Sequence, residues 1–298
     1  VDILVDLSGH NQGNRLDVCS QRPAPINVFY LGFAGTTGAD FIDYLIADRT
    51  VAPPEEARYF SEKLVLLPHT YLATDREQEI SARRPTRAEL GLPEEAFVFC
   101  CFNGHHKLEP VMFAVWMKVL QKTPGSVLWL ITGHDLAQAN LRREAANRGV
   151  DPGRLVFGPR LPKAEHLARV QAADLALDTL IYKAHTTTSD ALWAGVPAIT
   201  FRGSHFASRV PTSLLNAIGL PDLVAQNLEE YEALAVRLAQ SPVEMDGIKK
   251  RLEKNRTKWP LFDTPRFTRN LEKAYLSMWE IYRSGQPPRF LEITEDHR

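Results

Sequence analysis

The sequence predicts an α/β protein built on a doubly wound parallel sheet. Two observations carry this. From Phe97 onwards, strand-like runs alternate regularly with amphipathic segments of helical length, the mark of βαβ units with right-handed crossovers. Several of the strand-like runs, VDILVDL and AFVFCCF among them, are apolar almost throughout, as strands covered on both faces are. At 298 residues and 44% hydrophobic, the chain is long enough to bury a full core as one large or two modest domains.

Taken in order, the chain opens on strand VDILVDL, a loop with Gly9 and Gly13, and a short helix-like NRLDVCSQ. Strand-like INVFYL, IDYLIA and LVLLP follow, with EEARYFSE read as an intervening helix. Residues 1–75 are read as the C-terminal part of a first α/β lobe. VDILVDL needs neighbours and covering helices that the first residues do not supply, so earlier strands of the same sheet are expected upstream. Residues 76–95 lack a sustained apolar period and are read as the interdomain link. Arg83, Arg84 and Arg87 there read as a solvated face, without function. Residues 96–260 then form the second lobe: strand AFVFCCF, helix Pro110 to Lys122, strand SVLWLIT, helix Asp135 to Arg148, strand RLVFG, helix Lys163 to Ala172, strand LALD, helix Ser189 to Ala194 and strand AITF. After Phe201 the pattern is helical. Residues 261–298 hold a long amphipathic helix with Phe267, Leu271, Tyr275, Met278, Trp279 and Tyr282 on one stripe, expected to pack across another domain.

Composition excludes several classes. Lys plus Arg number 35 against 36 for Asp plus Glu, so no whole-molecule field draws nucleic acid or an anionic membrane, and any anion site is local. No apolar stretch approaches the roughly 18 residues of a membrane helix. Cys19, Cys100 and Cys101 have neither CxxC nor Cys/His spacing, which predicts no zinc site, no disulfide framework and a reducing, cytoplasmic setting.

In open parallel sheets ligands bind beyond the carboxyl ends of the strands, and four such loops are unusual. After LALD, His185, Thr186, Thr187 and Thr188 run into a helix. One threonine would serve as a cap. Three hydroxyls beside free N–H groups and a positive dipole end make an anion site, to which His185 can add a donor. Asp190, a turn inside, can accept from sugar hydroxyls. After AFVFCCF, Asn103, Gly104, His105, His106 and Lys107 precede a helix, and a lysine at a helix entrance suits phosphate. A metal site is not expected there, because only Glu109 joins the histidines at ligand spacing. After RLVFG, Lys163 and His166 share one face of a first helical turn and can meet a base or ribose. In the first half, LGFAGTTGADF sets Gly32, Gly35 and Gly38 around Thr36 and Thr37, leaving room for close backbone approach. His10 and His69, at strand ends, read as structural or solvent-facing. These residues point to a lobe for a phosphorylated, nucleotide-linked ligand.

At these positions the sequence resembles the catalytic region of the O-linked N-acetylglucosamine transferase family, in its bacterial type. The resemblance runs through DILVDLSGH, RPAPINVFYLGFAGTTGADFIDYLIAD, YFSEKL, the FN and HK of FNGHHK, PGSVLWL, LPKAEHL, ADLALDT, AHTTTSDALWAGVP, ASRV and LEKAYLSMWEIY. It implies a GT-B fold, with the end of the N-terminal lobe, all of the C-terminal lobe, and a last helix returning to the first. It implies an inverting, metal-independent, cofactor-free transfer of N-acetylglucosamine from UDP to Ser or Thr of proteins, with tetratricopeptide repeats upstream. By motif, His185, Thr186 and Thr187 would hold the diphosphate, Lys107 would neutralise the leaving phosphate, and Asp190 would bind the ribose. Lys163 and His166 would engage ribose and uracil, Asn103 would belong to the donor site, and Leu31 and Gly32 would approach the sugar. Three departures bear on the donor: Gly104 stands where familiar members have glutamine, Ala34 where they have proline, and Thr188 where they have glycine. The family's Asp-Phe-Gly-Asn-His stretch is not in this sequence. The alternatives are a related transferase using UDP-glucose or an asparagine acceptor, and a non-catalytic UDP-sugar-binding scaffold.

Overall fold

The computed structural model describes residues 1–295, so the last three residues of the segment read as 261–298 lie outside the described residues. The first sheet begins with β1 (Ile3–Asp6), followed by helix α1 (Leu16–Ser20), β2 (Ile26–Phe29), β3 (Tyr44–Asp48) and β4 (Lys63–Leu67). All are parallel, with Ile3 opposite Ile26 and Tyr44 opposite Lys63. Every residue of β2 and β3 is buried, which is why these strands read as unbroken apolar runs. EEARYFSE forms only a 3₁₀ turn over Pro54–Tyr59, with no buried residue. Pro53 and Pro54 open the segment and its apolar residues are too few to hold a longer helix against the sheet.

The second lobe runs β5 (Val98–Cys101), α2 (Pro110–Lys122), β6 (Val127–Ile131), α3 (Asp135–Asn147), β7 (Leu155–Gly158), α4 (Lys163–Val170), β8 (Leu175–Leu177), α5 (Thr186–Trp193), β9 (Ala198–Phe201), α6 (Phe206–Ala217), β10 (Val224–Ala225), α7 (Leu228–Gln240) and α8 (Pro242–Arg256). Local signals set these elements: Glu109 caps α2 by accepting the N–H groups of Val111 and Met112, with Pro110 at the first helical position. The sheet is parallel in the order β10-β9-β8-β5-β6-β7. The chain winds outwards from β5 through β7, then returns to the other side of β5. That reversal opens a crevice between the carboxyl ends of β5 and β8.

Helix α5 starts at Thr186, three residues before the predicted Ser189, because the threonines are its first turn and not its approach. Arg87 is a brace instead of a solvated face. Its guanidinium pairs with Asp174 at 2.8 Å and donates to the carbonyls of Ala96, Glu94 and Ala172. Arg83 does stay exposed, paired with Glu89.

The last helix, α9 (Thr264–Arg283), returns to the first sheet and packs on β2 and β4. Its buried face is Asn270, Ala274, Met278 and Ile281, flanked by half-buried Phe267, Leu271, Tyr275 and Trp279. Tyr282 falls off the expected stripe: it is exposed and stacks on Trp279, because Ile281 takes the inward position of that turn. A short strand, β11 (Leu291–Glu292), then joins the first sheet beside β4. Across the lobes, Arg209 of α6 makes a two-bond pair with Glu56, and the Ser213 hydroxyl donates to buried Asp48 at 2.7 Å. No helix among the described residues is long and apolar enough to cross a membrane.

Candidate active site

The crevice at the β5/β8 reversal is where the sequence-predicted residues converge. On leaving β5 the chain buries Asn103, which is 3% exposed, and its amide donates to the Thr179 hydroxyl at 3.4 Å. Asn103 thus braces the two sides of the crevice, and its Oδ1 has no partner. A 3₁₀ turn over His105–Lys107 follows. A Cβ on Gly104 would lie 2.6 Å from the His106 ring, so a glycine is what lets this turn fold back and deliver Lys107. The Lys107 ammonium donates to the Lys183 carbonyl at 3.2 Å and lies 4.4 Å from the centre of the Tyr182 ring. Burial pulls it below the ordinary lysine value, with Asp178 acting against the fall. A partly desolvated cation of this kind gains most from an anion.

Opposite Lys107, His185 is the N-cap residue of α5 but makes no side-chain cap. The first N–H groups of the helix, those of Thr186 and Thr187, have no intrahelical acceptor. The three hydroxyls do not converge. Thr186 is exposed and Thr187 half-buried, whereas Thr188 is buried and donates to the Ala184 carbonyl at 3.2 Å. Two threonines, not three, remain for an anion. His185 Nε2 lies 3.0 Å from the Ala207 carbonyl, which can only accept, so Nε2 carries the proton and Nδ1 is the free nitrogen. Burial lowers this imidazole to about 4, so at neutral pH it is an uncharged ring lying beside Tyr182.

The far end of the crevice is built by α4. Lys163 forms an ion pair with Asp190, which is buried one turn inside α5. The pair assigned to ribose is therefore one unit, spanning the two helices. Burial pushes the Asp190 carboxyl up while Lys163 restrains it. His166 Nδ1 accepts from Arg169 Nε at 3.1 Å. That bond fixes the proton on Nε2, and burial, with Arg169 and Lys163 nearby, lowers the ring to about 4. A cleft of about 530 Å³ opens here, lined by His166, Arg169, Phe102, His105, His134 and Pro159 among others.

Arg169 was not legible as a site residue. It is almost fully buried, it orients His166 and donates to the Pro159 carbonyl, and its Nη2 has no partner. The only sequence signal was its place three residues after His166, on the same helical face.

On the first-lobe side, Leu31 has φ 81°, a left-handed conformation rare outside glycine. A Cβ on Gly32 would lie 2.1 Å from the Leu7 carbonyl oxygen. The exit of β2 is thus pressed against that of β1 and holds strain of the kind found at ligand contacts. Thr36 and Thr37 are taken up by Glu62, and His10 Nε2 lies 2.8 Å from the Thr37 carbonyl. His69 lies 3.1 Å from the Glu295 carboxylate. Gly35 and Gly38 thus line a turn held by its own bonds.

The model of glycosyl transferase family 41 matches residues 1–83 and 77–271. The chain belongs to that family. The two matched segments of this family 41 chain meet in the stretch that joins its two sheets. A probable UDP-N-acetylglucosamine–peptide N-acetylglucosaminyltransferase SEC of Arabidopsis thaliana is 41% identical over 99% of the chain and 31% of its own length. The UDP-N-acetylglucosamine–peptide N-acetylglucosaminyltransferase of Caenorhabditis elegans is 28% identical over 96% of the chain and 35% of its own length. The family 41 chain therefore spans about a third of the length of these curated relatives. Among solved structures, a mutant O-GlcNAc transferase of Thermobaculum terrenum superposes with a TM-score of 0.87 at 34% identity, covering 96% of this chain and 54% of that one. WaaG, a glycosyltransferase involved in lipopolysaccharide biosynthesis, superposes with a TM-score of 0.53 at 14% identity, covering 91% of this chain and 84% of that one, and supports the GT-B fold alone.

Proposed function

We propose that the chain is the donor-binding part of a protein O-glycosyltransferase that moves N-acetylglucosamine from UDP-N-acetylglucosamine to Ser or Thr of a protein acceptor. The observation that carries the reading is the meeting, at one sheet reversal, of Lys107, the open start of α5, the Lys163–Asp190 pair and the His166–Arg169 pair. Read along the crevice, these groups suit a sugar phosphate, a ribose and a base in that order. In the transfer, the acceptor hydroxyl gives up its proton to water as its oxygen forms a bond to the anomeric carbon from the face opposite the leaving group, so the configuration inverts. The bond from that carbon to the β-phosphate oxygen breaks, and UDP leaves with the electron pair. Charge grows on the β-phosphate, where Lys107 and the N–H groups of Thr186 and Thr187 would stabilise it. These groups supply the charge that a metal would otherwise bring, which supports a metal-independent reading.

Leu31 and Gly32 would face the sugar, and Asn103 would hold the crevice wall. Division into a first-lobe segment to residue 75, a link, and a UDP-binding lobe from 96 to 260 belongs to the same proposal, as do tetratricopeptide repeats in the native protein and a cytoplasmic location. The names of the relatives and of the solved Thermobaculum enzyme favour this donor and a peptide acceptor. The test is transfer from labelled UDP-N-acetylglucosamine by the native gene product, beside its Lys107→Ala variant. Removing one such stabilising group is expected to lower kcat by about 10²–10³, with a smaller loss of affinity for UDP-N-acetylglucosamine. UDP binding without transfer by the unaltered protein would favour a scaffold instead.

A further inference from the structure

Between β8 and α5 the chain buries a lysine. Lys183 is 0% exposed, and burial lowers its ammonium to about 8 against the pull of Asp178. Its Nζ donates to the Phe201 carbonyl and to the Thr200 hydroxyl at 3.2 Å, and lies 3.3 Å from the centre of the Phe201 ring. The Thr200 hydroxyl donates in turn to Asp178 Oδ2 at 2.6 Å. Asp178 Oδ1 accepts from the N–H groups of Thr179 and Ala184, both at 2.8 Å. One carboxylate and one ammonium, joined through a single hydroxyl, therefore fasten both ends of the loop to β9.

A buried alkyl side chain would fill this space without the desolvation penalty of a charge. The ammonium instead supplies directed bonds to the end of β9. The outer side of the same loop faces the crevice: the Lys183 carbonyl accepts from Lys107, and the Tyr182 ring lies against both Lys107 and His185.

We propose that Lys183 is a positioning residue of the donor site: its ammonium, bonded to the end of β9, fixes the carbonyl that holds Lys107 beside His185. The inference rests on the reading of Lys107 as the group that meets the leaving phosphate. The loop works as a lever with its inner end pinned, so loosening Lys183 frees Lys107 without touching the residues that would bind base or ribose.

The test reads Lys107 directly, independently of any donor. Exposed lysines and Lys107 compete for a trace of acetic anhydride, and each site is followed by mass spectrometry in the full chain. Four forms are compared: unaltered, Asp178→Asn, and Asp178→Asn combined with either Lys183→Met or Lys183→Gln. Asp178→Asn alone reads the part of any change that comes from losing the Asp178 charge near Lys107; each double substitution removes both buried charges, so neither is left unpaired, and melting curves check that the forms fold. Lys107 labelling is expected to rise ~10-fold in the Met form over Asp178→Asn alone, the factor for about 1.4 kcal/mol of lost positioning. Transfer by the native gene product carrying the Met pair is expected to fall by a similar factor, with the KM for UDP-N-acetylglucosamine little changed. Lys183→Gln keeps a donor for the Phe201 carbonyl and should restore most of the protection, which a purely space-filling role would not require. Unchanged Lys107 labelling in a folded double variant, or equal labelling in the Gln and Met forms, overturns the proposal. Raised labelling in a protein whose unaltered form transfers nothing would uphold Lys183 as the anchor and defeat the transferase reading instead.

Discussion

Replacing His166 with alanine should weaken UDP binding while sparing pyrophosphate. The ring lines the cleft at the outer end of the crevice, edge-on to Phe102 at 5.3 Å, and its Nδ1 is engaged by Arg169. Held near pKa 4, it is neutral at pH 7, so it offers a base an uncharged aromatic face whose orientation is set by a guanidinium. Loss of an aromatic stack on a base costs ~1–3 kcal/mol, or about 5- to 150-fold in Kd. His166→Phe keeps the face and removes only the nitrogen, so it should bind UDP within a few-fold of the unaltered chain. Calorimetric titration of all three forms with UDP, then with pyrophosphate, measures this. Equal losses for Ala and Phe would show that the ring's nitrogen matters and its face does not. An equal loss of pyrophosphate affinity would place the effect outside base recognition. Either result would refute the assignment of this end of the crevice to the base.

Acid should destabilise the fold through the same imidazoles. His166 and His185 are each held near 4, whereas an unperturbed ring titrates at 6.5. Between those values the unfolded chain binds more protons, so their contribution is complete above pH 6.5 and is lost as pH falls towards 4. At 1.36 kcal/mol per unit this amounts to at most ~3 kcal/mol for each ring, to be followed by urea denaturation across that range. His166→Phe should flatten part of the slope, and an unaltered slope would count against a neutral buried ring. On the first lobe, Gly32→Ala drives a methyl to 2.1 Å from the Leu7 carbonyl oxygen. Since its three nearest neighbours, the Leu7 carbonyl oxygen and carbon and the Ser8 Cα, are all backbone, a loss of ~1–3 kcal/mol is expected, and an unchanged melting temperature would show that this turn is not tightly packed.

Much of the fold was legible because its signals are local and repeated. Strands such as VFCC and helices such as α2 carry their period and caps within a dozen residues. Strand order is a long-range property, and only the structure shows that β5 and β8 are neighbours. That adjacency brings Lys107 to the loop before α5. Lys163 and Asp190 were each singled out, but nothing in the spacing says that they pair. Lys183 and Arg169 were illegible for a different reason. Lysine and arginine are rarely buried, so in a loop and on an amphipathic helix they read as solvated, and their function depends on acceptors supplied by β9 and by the loop after β7. Strand β11 has two residues, too few for a periodic signal. The Tyr282 error follows from extending a helical stripe by one turn where inward positions alternate between steps of three and four.

The return of α9 to the first sheet means that the polypeptide passes between the lobes twice. The two passages lie side by side: the Thr74 hydroxyl donates to the Leu261 carbonyl, and the Thr264 hydroxyl donates to the Thr74 carbonyl at 3.1 Å. A single tether would let one lobe twist, slide or swing against the other. Two tethers laced together leave one easy freedom, a swing about the seam between them, so opening and closing of the space between the lobes should follow one arc, like a book about its spine.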